Sequence, residues 1–237
     1  MNAKTLQFPN VGVITAILSE EDLAPLKEEI LEIQNNFSQS KKNNHQLVGN
    51  IRKEYTLTKS KDYINKLLEP YVWQFDESFG YLSSMAVLNT ECLLAIDSMW
   101  VNFQEKHEFN PPHSHTGVLS FVIWIDIPYD IKDEKLQSPG IESISPLAGH
   151  FTFHYTNSLG KISHQHIGAD YNMENHFFLF PAQLNHSVAP FYTSNKYRIS
   201  VSGNYKFQVP EKNKDEKIRK NFNSWWWNCW IYVCTNS

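Results

Sequence analysis

The hydrophobic and polar residues follow two different periods along the chain. Residues 6–17 predict a strand, and Ser19 with the three acidic residues that follow it predicts the start of a helix, because acidic side chains stabilise the positive end of the helix dipole. This helix continues with apolar residues at helical spacing, at Leu26, Ile30 and Ile33. A second helix is expected at about residues 59–80, with Pro70 dividing or bending it.

From about residue 93 the pattern becomes typical of strands, which are short, aromatic or β-branched, and separated by turn residues. We expect strands at residues 93–106, 119–128, 150–156, 161–167, 175–182, 186–191 and 197–207. Residues 157–160, Asn-Ser-Leu-Gly, predict a hairpin turn between the strands that flank them. This spacing predicts a mainly β fold, a double-stranded β-helix or jelly roll with supporting N-terminal α-helices.

The 237 residues fit one domain of this class. We expect a single domain over residues 1–237, with N-terminal helical support at about 1–92, a jelly-roll core at about 93–207 and an aromatic tail at 208–237. The tryptophans of the tail would expose a large apolar surface to water unless they pack on the domain or on a second subunit, so a homodimer is one expectation.

Charge and cysteine usage narrow the range of functions. The 21 basic and 25 acidic residues are spread along the chain and give a net charge of −4, with no basic stripe suited to nucleic acid. Three cysteines, Cys92, Cys229 and Cys234, fit reduced thiols better than a disulfide framework. No signal peptide and no apolar run long enough for a membrane span is visible, so we expect a cytoplasmic protein.

Histidines are the main candidates for chemistry. His113 and His115 stand one residue apart, and in a strand residues i and i+2 point to one face, so both imidazoles could bind one cation at the entrance to the strand at 119–128. Pro111 and Pro112 would stiffen the approach, and Gly117 would allow the turn. Two ligands rarely suffice, and the best third candidate is His186, after a Phe-Pro turn that would aim the following strand inward.

Polar residues of two strands could complete this site. Arg198 and Ser200 share one face of the last strand with Asn204, and a guanidinium beside a hydroxyl is suited to holding a carboxylate by charge-assisted hydrogen bonds. On the strand at 93–106, one face carries residues that could line a cosubstrate pocket or simply fill the barrel, namely Trp100, Asn102 and Gln104.

These motifs together resemble a known family. The order H-x-H, then FP-x(4)-H-S-V, then R-I-S-x-S-G-N resembles the Fe(II)/2-oxoglutarate-dependent oxygenases, in particular a branch with an H-x-H motif that includes many phage-encoded hydroxylase-like proteins. The resemblance covers roughly residues 95–207 and extends weakly to residues 47–57 and to the Phe-Pro near the start. It implies Fe(II) and 2-oxoglutarate as cofactors, and the host cytoplasm as location if the protein is phage-encoded.

The resemblance implies a role for each matched position. His113 and His115 take the places of the first histidine and the carboxylate of the family, and His186 that of the distal histidine. Arg198 takes the place of the residue that binds the C5 carboxylate of 2-oxoglutarate, assisted by Ser200, with Asn102 in the cosubstrate pocket. Because position 115 carries imidazole where the family has a carboxylate, zinc or another divalent metal is left open.

Other residues offer weaker alternatives. A metal could bridge the hairpin at residues 150–167 through four histidines, namely His150, His154, His164 and His166. The apolar residues Phe151, Phe153 and Tyr155 define the core face of this hairpin, which favours histidines that point outward. Asp126 lies too far along its strand to be a ligand. No nucleophile elbow and no phosphate-binding glycine loop occurs.

The sequence thus predicts a 2-oxoglutarate-dependent oxygenase that hydroxylates an unactivated C–H bond of an unknown small-molecule or peptide substrate with O2, with no nucleic acid or membrane partner. Two alternatives remain. One is a non-catalytic jelly-roll module that binds carbohydrate or protein or serves as a structural phage component. The other is a cupin-like three-histidine enzyme that does not use 2-oxoglutarate.

Overall fold

The computed structural model describes residues 10, 12–44, 48–85, 94–144 and 146–208. The helices are α1 (Glu20–Asn35), α2 (Lys61–Phe79), α3 (Tyr81–Ser84) and α4 (Ile131–Gln137). The strands are β1 (Ile14–Ile17), β2 (Glu54–Thr56), β3 (Leu94–Gln104), β4 (Asn110–His113), β5 (Leu119–Asp126), β6 (His150–Thr156), β7 (Ile162–Gly168), β8 (His176–Pro181), β9 (Asn185–Val188) and β10 (Arg198–Phe207).

Two antiparallel sheets face each other and form a jelly roll, which confirms the predicted fold class. The larger sheet has the strand order β1-β8-β5-β10-β3-β2, and the smaller has the order β4-β9-β6-β7. Long-range pairing of this kind brings strands that are distant in sequence side by side. In consequence, β10 is hydrogen-bonded to both β3 and β5.

Helices α1 and α2 cover the outer face of the larger sheet. The Ser19 hydroxyl caps α1 by accepting a hydrogen bond from the backbone N–H of Asp22, as the acidic start predicted. Leu26 and Phe75, one from each helix, are fully buried in a cluster that includes Val101 and Val201 of the sheet. Pro70 lies inside α2, which is assigned as one continuous helix, so the expected division there does not occur.

The strand β5 is buried on both faces, which explains the continuous apolar run at residues 121–125. Phe121 and Ile123 face the helices, whereas Val122 and Trp124 face the second sheet and pack near Phe151. The space between the sheets is therefore lined mainly by apolar side chains. Polar residues that point into this space stand out as candidates for function.

The predicted elements differ from the observed ones in several places. The tract at 186–191 forms a strand only at Asn185–Val188, and the hydrophobic pattern did not predict β2, β4, α3 or α4. The hairpin at 157–160 is confirmed, with the Asn157 N–H donating to the carbonyl of Lys161 at 2.9 Å. Part of the strand expected at 6–17, all three cysteines and the tryptophan-rich tail lie outside the described residues, so the single-domain and homodimer expectations stay predictions.

Among the described helices, none is both long and apolar enough to cross a membrane.

Candidate metal centre and its cavity

The smaller sheet brings His113 and His186 together. His113 is the last residue of β4, and its Cα partner on β9 is His186. His113 and His115 both precede β5, but they do not lie in one strand as the spacing suggested, because His113 ends β4 and His115 follows it. Strand β4 lies at the edge of that sheet, where Pro111 and Pro112 are tolerated because an edge strand need not donate all its N–H groups.

His115 lies beyond the end of β4, in the connection to β5. Its backbone N–H donates to the carbonyl of Ala182 at 2.8 Å, which ties this connection to the turn that follows β8. Gly117 has φ +119°, and a Cβ added there would lie 2.7 Å from the carbonyl oxygen of Tyr205. The turn predicted at Gly117 therefore requires glycine.

The three imidazoles meet in one cluster. Ring centroids are 4.4 Å apart for His113 and His186, 5.0 Å for His113 and His115, and 5.0 Å for His115 and His186. One nitrogen of each ring lies within 4.8 Å of the other two, so a single cation could contact all three. His186 is 4% exposed and packs between the rings of Phe151 and Phe180.

Backbone carbonyls fix the tautomers of two rings. Nδ1 of His113 lies 2.7 Å from the carbonyl oxygen of Pro111, and Nδ1 of His186 lies 2.9 Å from that of Leu184. A carbonyl oxygen only accepts, so each Nδ1 carries the hydrogen and each Nε2 keeps its lone pair. Imidazoles that bind metals are commonly held by such a bond on the other nitrogen.

The surroundings also keep the three rings neutral. Burial lowers the pKa of His186 to about 3, with the neighbouring His113 adding to the effect. Burial likewise lowers the pKa of His115 to about 4, and that of His113 below its usual value. At neutral pH the lone pairs are therefore available, and three neutral imidazoles form a donor set that fits a divalent transition metal.

A buried arginine lies in the wall of the same cavity. Arg198 is 3% exposed and forms no salt bridge with any described residue. Its Nε and Nη2 both donate to Oε1 of Gln104, at 3.1 and 2.5 Å. Nη2 also donates to the carbonyl of Ala189 at 2.9 Å, and Nη1 donates to the Tyr129 hydroxyl at 2.6 Å. A buried cation held only by neutral acceptors is suited to an anionic ligand.

The proposed cosubstrate residues Asn102 and Ser200 are neighbours. They are Cα partners on β3 and β10, and Nδ2 of Asn102 donates to the Ser200 hydroxyl at 3.2 Å. Both line the cavity, where Oδ1 of Asn102 is buried and has no hydrogen-bond partner among the described residues. This orphaned acceptor offers a hydrogen-bond site to a bound molecule. Asn204, on the same face of β10, does not line the cavity and accepts from the Ser120 hydroxyl at 2.7 Å.

Two residues near the cavity were not predicted from the sequence. Tyr129 holds Arg198, and burial raises the pKa of its phenol, which keeps the hydroxyl protonated. Glu54 lines the cavity from β2, and burial raises the pKa of its carboxyl to about 8, with the neighbouring Glu108 as the second cause. A three-residue strand such as β2 is too short to show an alternating pattern, so no sequence signal pointed to Glu54.

The remaining candidates lie elsewhere. Asp126 is exposed at the end of β5 and does not line the cavity, in agreement with its rejection as a ligand. The histidines of the β6–β7 hairpin lie on the opposite face of the smaller sheet, since Phe151 and Phe153 occupy the inner face. Gln104, which the sequence analysis left open between a pocket residue and a barrel filler, lines the cavity and contacts Arg198.

The part of the chain that carries this cavity is similar to a known protein family. Residues 98–204 match the sequence profile of a family described as "Putative 2OG-Fe(II) oxygenase". The matched range contains the three clustered histidines together with Asn102, Arg198 and Ser200. No curated protein matches the chain.

Several solved structures share the fold. A prolyl-4-hydroxylase from Pseudomonas putida has a TM-score of 0.51 at 10% identity, covering 83% of this chain and 93% of that one. An oxidoreductase of the 2OG-Fe(II) oxygenase family from Burkholderia pseudomallei has a TM-score of 0.51 at 14% identity, covering 83% and 84%. The non-heme α-ketoglutarate-dependent epimerase SnoN from nogalamycin biosynthesis has a TM-score of 0.51 at 13% identity, covering 82% and 77%.

Proposed function

We propose that the protein is a 2OG-Fe(II) oxygenase, the family whose profile residues 98–204 match, and that it hydroxylates an unactivated C–H bond of a small-molecule or peptide substrate. That family uses Fe(II) and 2-oxoglutarate. One observation carries the proposal: three neutral histidines, two with a fixed tautomer, share a cavity with a buried arginine that has no acidic partner among the described residues.

The three histidines are the proposed iron ligands. His113 and His186 present Nε2, because their Nδ1 atoms donate to backbone carbonyls, and His115 completes the set. With O2, bound iron and 2-oxoglutarate supply the oxidation of the substrate C–H bond: one oxygen atom enters the alcohol, and the other enters succinate as CO2 is released. The protein contributes the ligands, the orientation of the cosubstrate and a cavity whose walls include the buried aromatic side chains of Trp124, Phe151 and Phe180.

Arg198 is the proposed partner of the C5 carboxylate of 2-oxoglutarate. Four of its hydrogen bonds go to neutral acceptors, and these fix the guanidinium plane before a ligand arrives. The Tyr129 hydroxyl accepts from Arg198 and retains its own hydrogen for donation. Ser200 and Asn102 are the proposed polar contacts along the cosubstrate.

The absence of a carboxylate among the three ligands changes the charge of the proposed centre. Three neutral imidazoles leave a bound Fe(II) one unit more positive than two imidazoles and a carboxylate. An extra positive charge strengthens the attraction for an anionic cosubstrate such as 2-oxoglutarate. It also makes other divalent metals competitive, since imidazole binds several of them well.

The test is an anaerobic titration with Fe(II) and 2-oxoglutarate, followed by admission of air and measurement of succinate. We expect metal-dependent binding of 2-oxoglutarate and succinate formation. His186→Ala should lose both, Arg198→Ala should retain the metal while its affinity for 2-oxoglutarate falls at least about tenfold, and the control His176→Ala should behave as the wild type.

Each failure has a distinct meaning. If the wild type binds no metal and no 2-oxoglutarate, the oxygenase proposal is wrong and a non-catalytic binding module is favoured. If metal binds and oxidation proceeds equally well without 2-oxoglutarate and in Arg198→Ala, the protein is a three-histidine enzyme of the cupin type.

A further inference from the structure

The outer face of the smaller sheet carries a second group of histidines. On β6, His150 and His154 point away from the cavity, and on β7 the Cα partner of His154 is His164. His166 follows two residues after His164 and therefore shares its face. His154 is partly buried, whereas His164 and His166 are exposed. Four imidazoles thus occupy one face of a two-stranded hairpin.

His154 and His164 are in direct contact through their ring nitrogens. The two Nδ1 atoms lie 2.8 Å apart, and Nε2 of His154 lies 2.8 Å from the hydroxyl oxygen of Ser187 on β9. At this separation a single proton serves both Nδ1 atoms: one ring donates it and the other accepts it. Each ring therefore presents an Nδ1 position to the same small volume, which is the arrangement of two ligands of one cation.

Ser187 is positioned to orient His154 for such a cation. When Nδ1 of His154 binds a metal, its Nε2 carries the hydrogen and donates it to the Ser187 hydroxyl, which can accept. Metal-binding histidines usually make such a bond from the second nitrogen, and it fixes both the tautomer and the ring orientation. The 2.8 Å contact to Ser187 already exists in the structure.

We propose that His154 and His164 form a second metal site, which binds a divalent transition metal ion of the Zn²⁺, Ni²⁺ or Cu²⁺ class on the outer face of the sheet. The ion replaces the proton shared by the two Nδ1 atoms. Two nitrogens bound to one tetrahedral zinc lie about 3.3 Å apart, so the rings must separate by about 0.5 Å and turn until both Nδ1 lone pairs point at the ion. Imidazole is a preferred ligand of these metals.

His166 and water complete the coordination of the ion. The rings of His164 and His166 are nearly parallel, with centroids 5.8 Å apart. Nδ1 of His166 contacts the Thr152 hydroxyl at 3.0 Å, so its Nε2 remains the ligand atom. Because His164 and His166 are exposed, their side chains can rotate toward an ion without disturbing the core.

This outer site is separate from the cavity. Residues of β6 alternate between the two faces, so His154 points outward while its neighbour Phe153, the Cα partner of His186, points inward. Ser187 and His186 likewise point to opposite faces of β9. The two clusters therefore have no ligand in common, and metal binding at the outer site does not depend on iron binding at the inner cluster.

Metal stoichiometry tests the proposal. Zn²⁺ and, separately, Ni²⁺ are titrated into the full chain by calorimetry, with the variants His154→Ala, His164→Ala and His186→Ala and with His176→Ala as the control. We expect one equivalent that His154→Ala and His164→Ala each weaken at least tenfold and that His186→Ala and His176→Ala leave unchanged. The inner cluster, if it binds the same metal, appears as another equivalent that only His186→Ala removes.

Two further measurements separate this site from the proposed function. With Cu²⁺ in a His113→Ala/His115→Ala/His186→Ala background, electron paramagnetic resonance should show nitrogen coupling that disappears when His154→Ala and His164→Ala are added. The succinate yield of the Fe(II)-loaded His154→Ala variant should equal that of the wild type. The proposal is overturned if His154→Ala and His164→Ala bind every equivalent as tightly as the wild type, or if no equivalent survives in His186→Ala.

Discussion

Arg198 directs two N–H groups at a single acceptor, Oε1 of Gln104, at 3.1 and 2.5 Å. The two residues are Cα partners on β10 and β3, so the sheet itself sets this contact. The guanidinium is thereby oriented by a neutral group and keeps its full positive charge for a ligand.

Replacing that neutral acceptor by a carboxylate should weaken the binding of 2-oxoglutarate without unfolding the protein. Gln104→Glu creates a buried ion pair with Arg198 but loses the hydrogen bond that Nε2 of Gln104 donates to the carbonyl of Glu108 at 2.6 Å. Because these two effects oppose each other, we expect the unfolding temperature of the protein without cosubstrate to change little. The new carboxylate competes with that of 2-oxoglutarate, and the KM for 2-oxoglutarate should rise about tenfold or more. Steady-state kinetics and thermal unfolding measure both, with the exposed Gln137→Glu as the control. An unchanged KM would argue against Arg198 as the carboxylate partner.

The third histidine should be replaceable by a carboxylate. In His115→Asp the side chain still offers a ligand atom and lowers the charge of the centre by one, so we expect Fe(II) binding to be retained. His115→Ala removes the ligand and should weaken Fe(II) binding at least about tenfold. Equilibrium dialysis of Fe(II) under anaerobic conditions measures both constants. Equal affinity in the wild type and in His115→Ala would remove this residue from the ligand set.

The affinity of the inner cluster for metal should depend little on pH near neutrality. Metal binds neutral imidazole, so affinity falls as pH drops through the pKa values of the free protein. Three histidines with an ordinary pKa of about 6.5 would lose affinity on the order of 50-fold between pH 7.5 and 6.0. Burial lowers the pKa of His115 to about 4 and that of His186 to about 3. We expect a change below about tenfold for Mn(II), measured by calorimetry over this range.

Glu54 should make the protein less stable as pH rises. Burial raises its pKa from the ordinary 4.5 to about 8 in the folded protein, so folding takes up a proton between these pH limits. The unfolded chain binds fewer protons there, and the free energy of unfolding therefore falls as pH rises from about 4.5 to 8. Glu54→Gln removes this dependence, so its stability relative to the wild type should be greater at pH 8 than at pH 5.

Urea unfolding at pH 5, 7 and 8 measures the effect, with the exposed Glu28→Gln as the control for the loss of one negative charge. The same stability difference between Glu54→Gln and the wild type at all three pH values would show that the carboxyl at position 54 titrates normally in the folded protein.

A methyl group at Gly203 should destabilise the fold. A Cβ there would lie 2.5 Å from Cε1 of Phe121 and 2.9 Å from the carbonyl oxygen of Ser98. The backbone of β3 cannot move away without disturbing the pairing with β10, so we expect Gly203→Ala to cost about 1–3 kcal/mol. Chemical unfolding gives the value. Gly140→Ala is the control, because its Cβ would meet nothing closer than 3.9 Å.

The strongly patterned elements were predictable from the sequence. The capping signal at Ser19 and the apolar spacing after it located α1, and the apolar run at residues 121–125 located β5. The short elements were not predictable: β4 reads Asn-Pro-Pro-His, which resembles a turn, and its strand conformation comes from pairing with β9. Local propensity carries little information over three or four residues, whereas pairing with a distant strand can impose the conformation.

The sequence by itself determined the chemistry of the candidate site: three imidazoles, a guanidinium and their order along the chain. Only the tertiary structure decided that the imidazoles of His113 and His186 meet across β4 and β9 and that carbonyls set their tautomers. It also decided which neutral groups hold Arg198 and that Glu54 enters the same cavity. The physical reason is that strand register and burial are long-range properties. They arise when residues far apart in the chain pack together, and no local pattern encodes the distance between them.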